Sequence, residues 1–252
     1  LSPSSALAHA SERGHVLLLP TGHYLVGGAL AVAASFLVLG FVTGESVRRL
    51  FARRLALPLT LPDLRLPLSL VSFVLFAILV GAGFFGSRDP LSNPLPLVVW
   101  TLLWVGLTLA VGLIGNVWAA VNPWYAPWRI VTALARRDPE KVPLRLPDRL
   151  GYWPAVLGLA GFTWFELIDI APDDPARLAT VVLAYWLVSF VGMLLFGYRE
   201  WAGRCEFLSV FFAMVSRFAI VDVAGNRRLS LCLPGALLQN VTPLPASGTL
   251  FI

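Results

Sequence analysis

Charge is what this chain has least of. Only 13% of its 252 residues are Asp, Glu, Lys or Arg, about half the share of a soluble globular domain. That scarcity excludes an ordinary water-soluble fold. Lysine is nearly absent too: of 19 basic residues, 18 are Arg and one is Lys141. The two cysteines, Cys205 and Cys232, have no metal-ligand spacing and are too few for a disulfide scaffold, so they read as free thiols. No Gly-rich phosphate loop, nucleophile elbow or HExxH pair occurs, which excludes the enzyme classes those motifs serve. What is present is apolar: 58% hydrophobic residues and a mean hydropathy of +0.78. The composition is that of a polytopic, all-α integral membrane protein. Its net charge of +5 then concerns anionic lipid, and nucleic acid is not expected as a partner.

Five spans are predicted. The first runs from Tyr24 to Val42, with Gly27, Gly28, Ala31 and Ala34 giving a small-residue face for close helix packing. The second covers Leu66 to Phe85. The third begins at Leu95 and carries its apolar run into NPWYAPWRIVTALARR, where Pro123 and Pro127 end the helix and restart it as a surface-lying basic helix. A short fourth span runs from Trp153 to Ile168, and a fifth from Leu178 to Tyr198, its start marked by Asp173-Asp174-Pro175. Between the first two, LALPLTLPDLRLPLSL alternates Leu with Pro and polar residues and reads as extended. Phe207 to Val215, bounded by Glu206 and Arg217, is too short to cross and should lie in the interface or dip into it. Residues 220–233 pattern as a small hairpin around Ala224-Gly225-Asn226.

The arginines set orientation. Three connecting segments (after the first, third and fifth spans) carry five Arg each, the middle one also Lys141; the opposite three carry one each. By the positive-inside rule the N-terminus is outside and the hairpin cytoplasmic. The expected organisation is an extracytoplasmic segment 1–23, a five-span domain 24–198, a cytoplasmic or interfacial part 199–247, and the start of a further span at 248–252. Ala6 and Ala8 resemble the small-x-small end of a signal peptide; cleavage there would make 1–8 a remnant and His9 a first residue with a free amine, and the alternative keeps 1–8 in the chain.

That orientation gathers the candidate chemistry outside. His9, His15 and His23, with Glu12, form a ligand set for a divalent metal such as copper or zinc. Glu166 and Asp169, three residues apart near the outer end of the fourth span, share a face and read as a paired carboxylate able to hold a proton or a metal. The plainer reading has Glu166 snorkelling to the surface and the histidines in solvent. Asn116 and Asn122 are placed to hydrogen-bond a neighbouring helix.

Four stretches carry a family likeness: HASERGHVLLLPTGHYLVGGALAV (9–32), GNVWAAVNPWYAP (115–127), LGYWPAVLGLAGFTWFELI (150–168) and FVGMLLFGYREWAGRCEFLSVFFAMVSRFA (190–219). Together they resemble, in colinear order, a bacterial membrane-protein family labelled fenitrothion hydrolase, after a membrane-bound organophosphate hydrolase. The resemblance implies a multi-pass inner-membrane protein with further spans and activity on an apolar phosphotriester. Two functions follow as expectations: a metal-assisted hydrolase or enzyme-complex subunit with an extracytoplasmic site, or a non-catalytic, metal-handling or transporter-like subunit beside other membrane proteins.

Overall fold

The computed structural model describes residues 21–41, 44–138, 141–223, 227–240 and 245–249. They fall into two compact units divided after Leu50. The first holds α1 (Thr21–Phe41) and all but the last residue of α2 (Gly44–Phe51). The hydroxyl of Ser35 in α1 donates to the carbonyl of Ala31, which removes its polar cost within the helix. In α2, Glu45 in the first turn pairs with Arg48 and, at 2.9 Å, with Arg49; an acid ahead of a base by four residues suits both the helix dipole and the i,i+4 geometry.

The second unit begins with β1 (Arg54–Thr60) and α3 (Arg65–Phe85), followed by α4 (Pro94–Ile114), α5 (Trp118–Val121) and α6 (Tyr125–Leu134). Then come α7 (Trp153–Ile168), α8 (Pro175–Phe196), α9 (Tyr198–Arg204) and α10 (Phe207–Val215), and finally β2 (Val221–Val223), β3 (Arg228–Cys232) and α11 (Ala246–Thr249). Local chemistry sets these limits. Asn93 accepts the N–H of Leu95 to start α4 at Pro94, and its amide donates to the carbonyls of Ala82 and Ser87, locking the α3–α4 turn. Asp174 caps α8 at 2.8 Å from the N–H of Arg177, with Pro175 in the first turn.

Among the described residues, three helices, α3, α4 and α8, are long and apolar enough to cross a membrane. The first and fourth expected spans form helices at their expected places, but α7, at 16 residues, reaches only about 24 Å, short of a hydrocarbon core of about 30 Å. α3 and α8 pack closely: Gly83 sits against Ala179, Leu95 and the carbonyl of Pro175 with no room for a Cβ. Within α4, Leu97–Gly106 winds as a π-helix. The expected apolar run through Val121 breaks earlier, at Gly115, whose φ of 111° no other residue type adopts cheaply. Pro127 starts no new element but lies inside the first turn of α6. That helix buries Ala126, Pro127, Trp128 and Thr132 on one face and exposes Arg129, Ile130, Val131 and Leu134 on the other.

The expected two-stranded hairpin is one part of a three-stranded antiparallel sheet ordered β1-β3-β2. The extended segment that alternates Leu and Pro supplies the extra edge strand, with Pro58 inside an irregular stretch between Ala56 and Thr60. Ion pairs fasten the sheet: Arg54 to Asp222 across strands, and Asp63 to Arg227 at 2.5 Å and to Arg65 at 3.0 Å. Hydrogen bonding from Arg65 is the main cause holding the Asp63 carboxyl far below the usual carboxylate range.

An aromatic cavity as the candidate functional site

α9 and α10 form a helical hairpin folded back onto α8. The first arm lies so close that a Cβ on Gly192 would fall inside the ring of Trp201, which also stacks on Phe196 at 5.5 Å. The second arm places Phe207 against Gly158 of α7 and Val215 against Gly112 of α4. At the tip sits Glu206. It is fully buried, its carboxylate accepts the N–H groups of Leu208 and Ser209 at 2.9 and 2.7 Å, and the hydroxyl of Tyr185 donates to it. A carboxylate at an N-cap satisfies the donors that would otherwise be orphaned in an apolar interior. So the acid that bounds this short apolar segment, expected to lie in the interface or dip into it, is the buried cap of α10.

A second polar group organises the bend between α5 and α6. Asn122, 1% exposed, accepts the N–H groups of Trp124 and Tyr125 and donates to the Tyr198 hydroxyl at 2.8 Å. Ser69 of α3 donates to the Asn122 carbonyl and accepts from Ala126. The expected cross-helix bond of Asn122 is therefore present, whereas Asn116 bonds locally, to the N–H of Ala119. These contacts hold Trp124 inward, 2% exposed, with its indole N–H on the carbonyl of Trp186. Trp124 is thus a core residue.

The hairpin and the bend enclose a cavity of about 380 Å³. Its floor is Trp118, Trp124, Tyr185 and Trp186; α4 contributes Leu103 and Trp104, and α10 contributes Phe207. On the α7 side the wall is Leu157, Gly158, Gly161 and Phe162. Leu157 is 68% exposed and Gly161 has open space where a Cβ would stand, so the cavity opens sideways between α7 and α8 at Val181. Among the described residues that line it, none ionises except Tyr185. Concave, apolar, mostly preformed space with one polar group at its edge is the character of a small-molecule site. No protein-family model, curated protein or solved structure matches the chain. The cavity has to speak through its own residues.

The expected site residues lie elsewhere. Glu166 is half-buried near the end of α7, and no hydrogen bond or ion pair joins it to Asp169 among the described residues. Asp169, its side chain 4% exposed, accepts from the Ala171 N–H and from Arg177 at 2.8 Å. A carboxylate so committed to a guanidinium is a poor metal ligand. His23 is exposed on α1, while His9, Glu12 and His15 fall outside the described residues. The described residues hold no group of three or more His, Cys, Asp or Glu placed for a metal. Glu206 and the cavity were missed by sequence reasoning. The signal for Glu206 was available: an acid directly before nine apolar residues occupies an N-cap position.

Proposed function

We propose that the protein is a multi-pass bacterial inner-membrane component, N-terminus outside, that binds an apolar small molecule taken sideways from the lipid. It works as a non-catalytic subunit beside other membrane proteins. The single observation that carries this reading is the aromatic cavity open between α7 and α8. The three long apolar helices and the asymmetric arginines support the membrane placement. Irregular backbone is tolerated at membrane depth only when protein covers it, and at the bend around Asn122 the buried Asn122 and Trp124 are so covered.

A hydrolase of apolar phosphotriesters, the activity implied by the family resemblance, is less favoured by these residues. The cavity lining holds no side chain that activates water, and the Glu206 carboxylate already accepts three hydrogen bonds. The N-terminal set His9, Glu12, His15 and His23 keeps a separate expectation of copper or zinc, tested by the metal content of protein with the three histidines replaced. Binding is tested by photolysing an uncharged aryl diazirine with the protein in lipid nanodiscs and mapping the adducts. The reading expects adducts on Trp124 or Tyr185 that Gly161→Leu abolishes. Adducts confined to outward-facing residues outside the lining, such as Leu109, would contradict it.

A further inference from the structure

We infer that the occupant of this cavity is a planar, uncharged arene rather than an alkyl chain; the inference rests on the binding role proposed above. Its first support is the wall itself. Of the 18 lining residues, nine are aromatic, counted as four Trp, four Phe and one Tyr. Flat rings gain from offset and edge-on contact with other rings, beyond the area they bury.

The second support is how those rings are held. The indole N–H of Trp118 is spent on Ser209 at 3.1 Å, that of Trp124 on the Trp186 carbonyl at 3.0 Å, and that of Trp186 on the Pro123 carbonyl at 3.3 Å. The Tyr185 hydroxyl is spent on Glu206. Each bond fixes a ring in place and removes its donor, so these four residues offer a ligand only faces and edges. A carbonyl, phosphoryl or carboxylate pushed to the floor would lose its hydration and find no donor among them. An alkyl chain fits less well for a different reason: it must give up rotamer freedom to follow rigid flat walls, whereas a fused ring has none to lose.

Size gives the third. An apolar cavity of about 150 Å³ takes benzene, and 380 Å³ is available here, room for two fused rings with substituents. Gly161 completes the arrangement: it lines the cavity with no side chain, and space is open where a Cβ would stand.

The test uses the tryptophans as reporters. Protein in nanodiscs is titrated with 1-bromonaphthalene and, separately, with 1-bromododecane, whose bromine quenches indole fluorescence on contact. The expected result is a saturable quench by 1-bromonaphthalene above the linear background from partitioning, with an apparent affinity at least ~10-fold tighter than for 1-bromododecane. Gly161→Leu removes the saturable part, and so does Val181→Phe, which covers the case of a Gly161 variant that fails to fold. Gly27→Leu, on α1 where space is equally open, leaves it intact. Saturation by 1-bromododecane at equal or lower concentration would overturn the arene assignment and leave the binding role standing. Linear quenching by both probes would overturn both.

Discussion

The hydroxyl of Tyr185, midway along α8, donates to the carboxylate of Glu206 at the tip of the α9–α10 hairpin. This one bond ties an inserted hairpin to a long apolar helix and sets the ring of Tyr185 along the cavity wall. Removing the acid therefore strips the cap from α10 and leaves a buried hydroxyl without its acceptor. Glu206→Ala should cost about 2–4 kcal/mol, the sum of a lost cap and an orphaned polar group. Glu206→Gln keeps an acceptor and should cost less than half as much. Thermal unfolding in mild detergent ranks the two; equal midpoints for wild type and Glu206→Ala would refute the role.

Two glycines should respond in opposite ways to the same methyl group. Gly192→Ala drives a Cβ into the Trp201 ring and should destabilise by about 1–3 kcal/mol, prising α9 from α8. Gly161→Ala meets nothing within 4 Å in the interior of α7 and should stabilise by about 0.5–1 kcal/mol, the helix-interior cost of Gly relative to Ala. Melting temperatures of the pair provide the check.

Asp63 supplies a pH dependence of known sign. Its carboxyl is held well below the ordinary range, first by hydrogen bonding from Arg65. A depressed folded pKa means stability that is present above the unfolded value, about 3.9, and lost as pH falls from there toward the folded value. The pair is more than one-third exposed, so the gain is at most about 1 kcal/mol. Asp63→Asn should lower the melting midpoint slightly at pH 7, and the difference should shrink below about pH 4. A difference that grew in acid would contradict the sign.

The arginine asymmetry makes a topological prediction. With both native cysteines buried, single cysteines at Ser87 and Arg137 can be probed on intact cells with a membrane-impermeant maleimide. Ser87→Cys should label and Arg137→Cys should not until the membrane is opened. The reverse pattern would invert the orientation.

The sequence made the long spans legible because length and apolarity are enough to define them. Leu66–Phe85 differs from the observed α3 by one residue at its start, and Asp174 caps α8 as its Asp-Pro signal implies. What stayed hidden depends on contacts distant along the chain. β1 was recognisable as extended, but its pairing with β3 joins residues more than 170 positions apart, such as Arg54 and Cys232. The hydropathy of 95–121 is interrupted only by Asn116, and the break comes from a glycine dihedral at Gly115. Trp124 beside Pro and Arg has the composition of an interfacial anchor; only the hydrogen bond to Trp186 draws it into the core. Glu166 and Asp169 are conspicuous in the sequence because charge near the end of an apolar helix stands out. Asp169 answers to Arg177, and the buried acid is the one that stood next to a helix rather than in it.

The central claim is that a flat apolar molecule occupies the space between α7 and α8. Crystals grown from lipid and soaked with 1-bromonaphthalene test it most directly, since bromine scatters anomalously. The account predicts a bromine peak inside the cavity, between Gly161 and the ring of Tyr185, that is missing from Gly161→Leu crystals. Bromine found only in the lipid layer around the helices would contradict it.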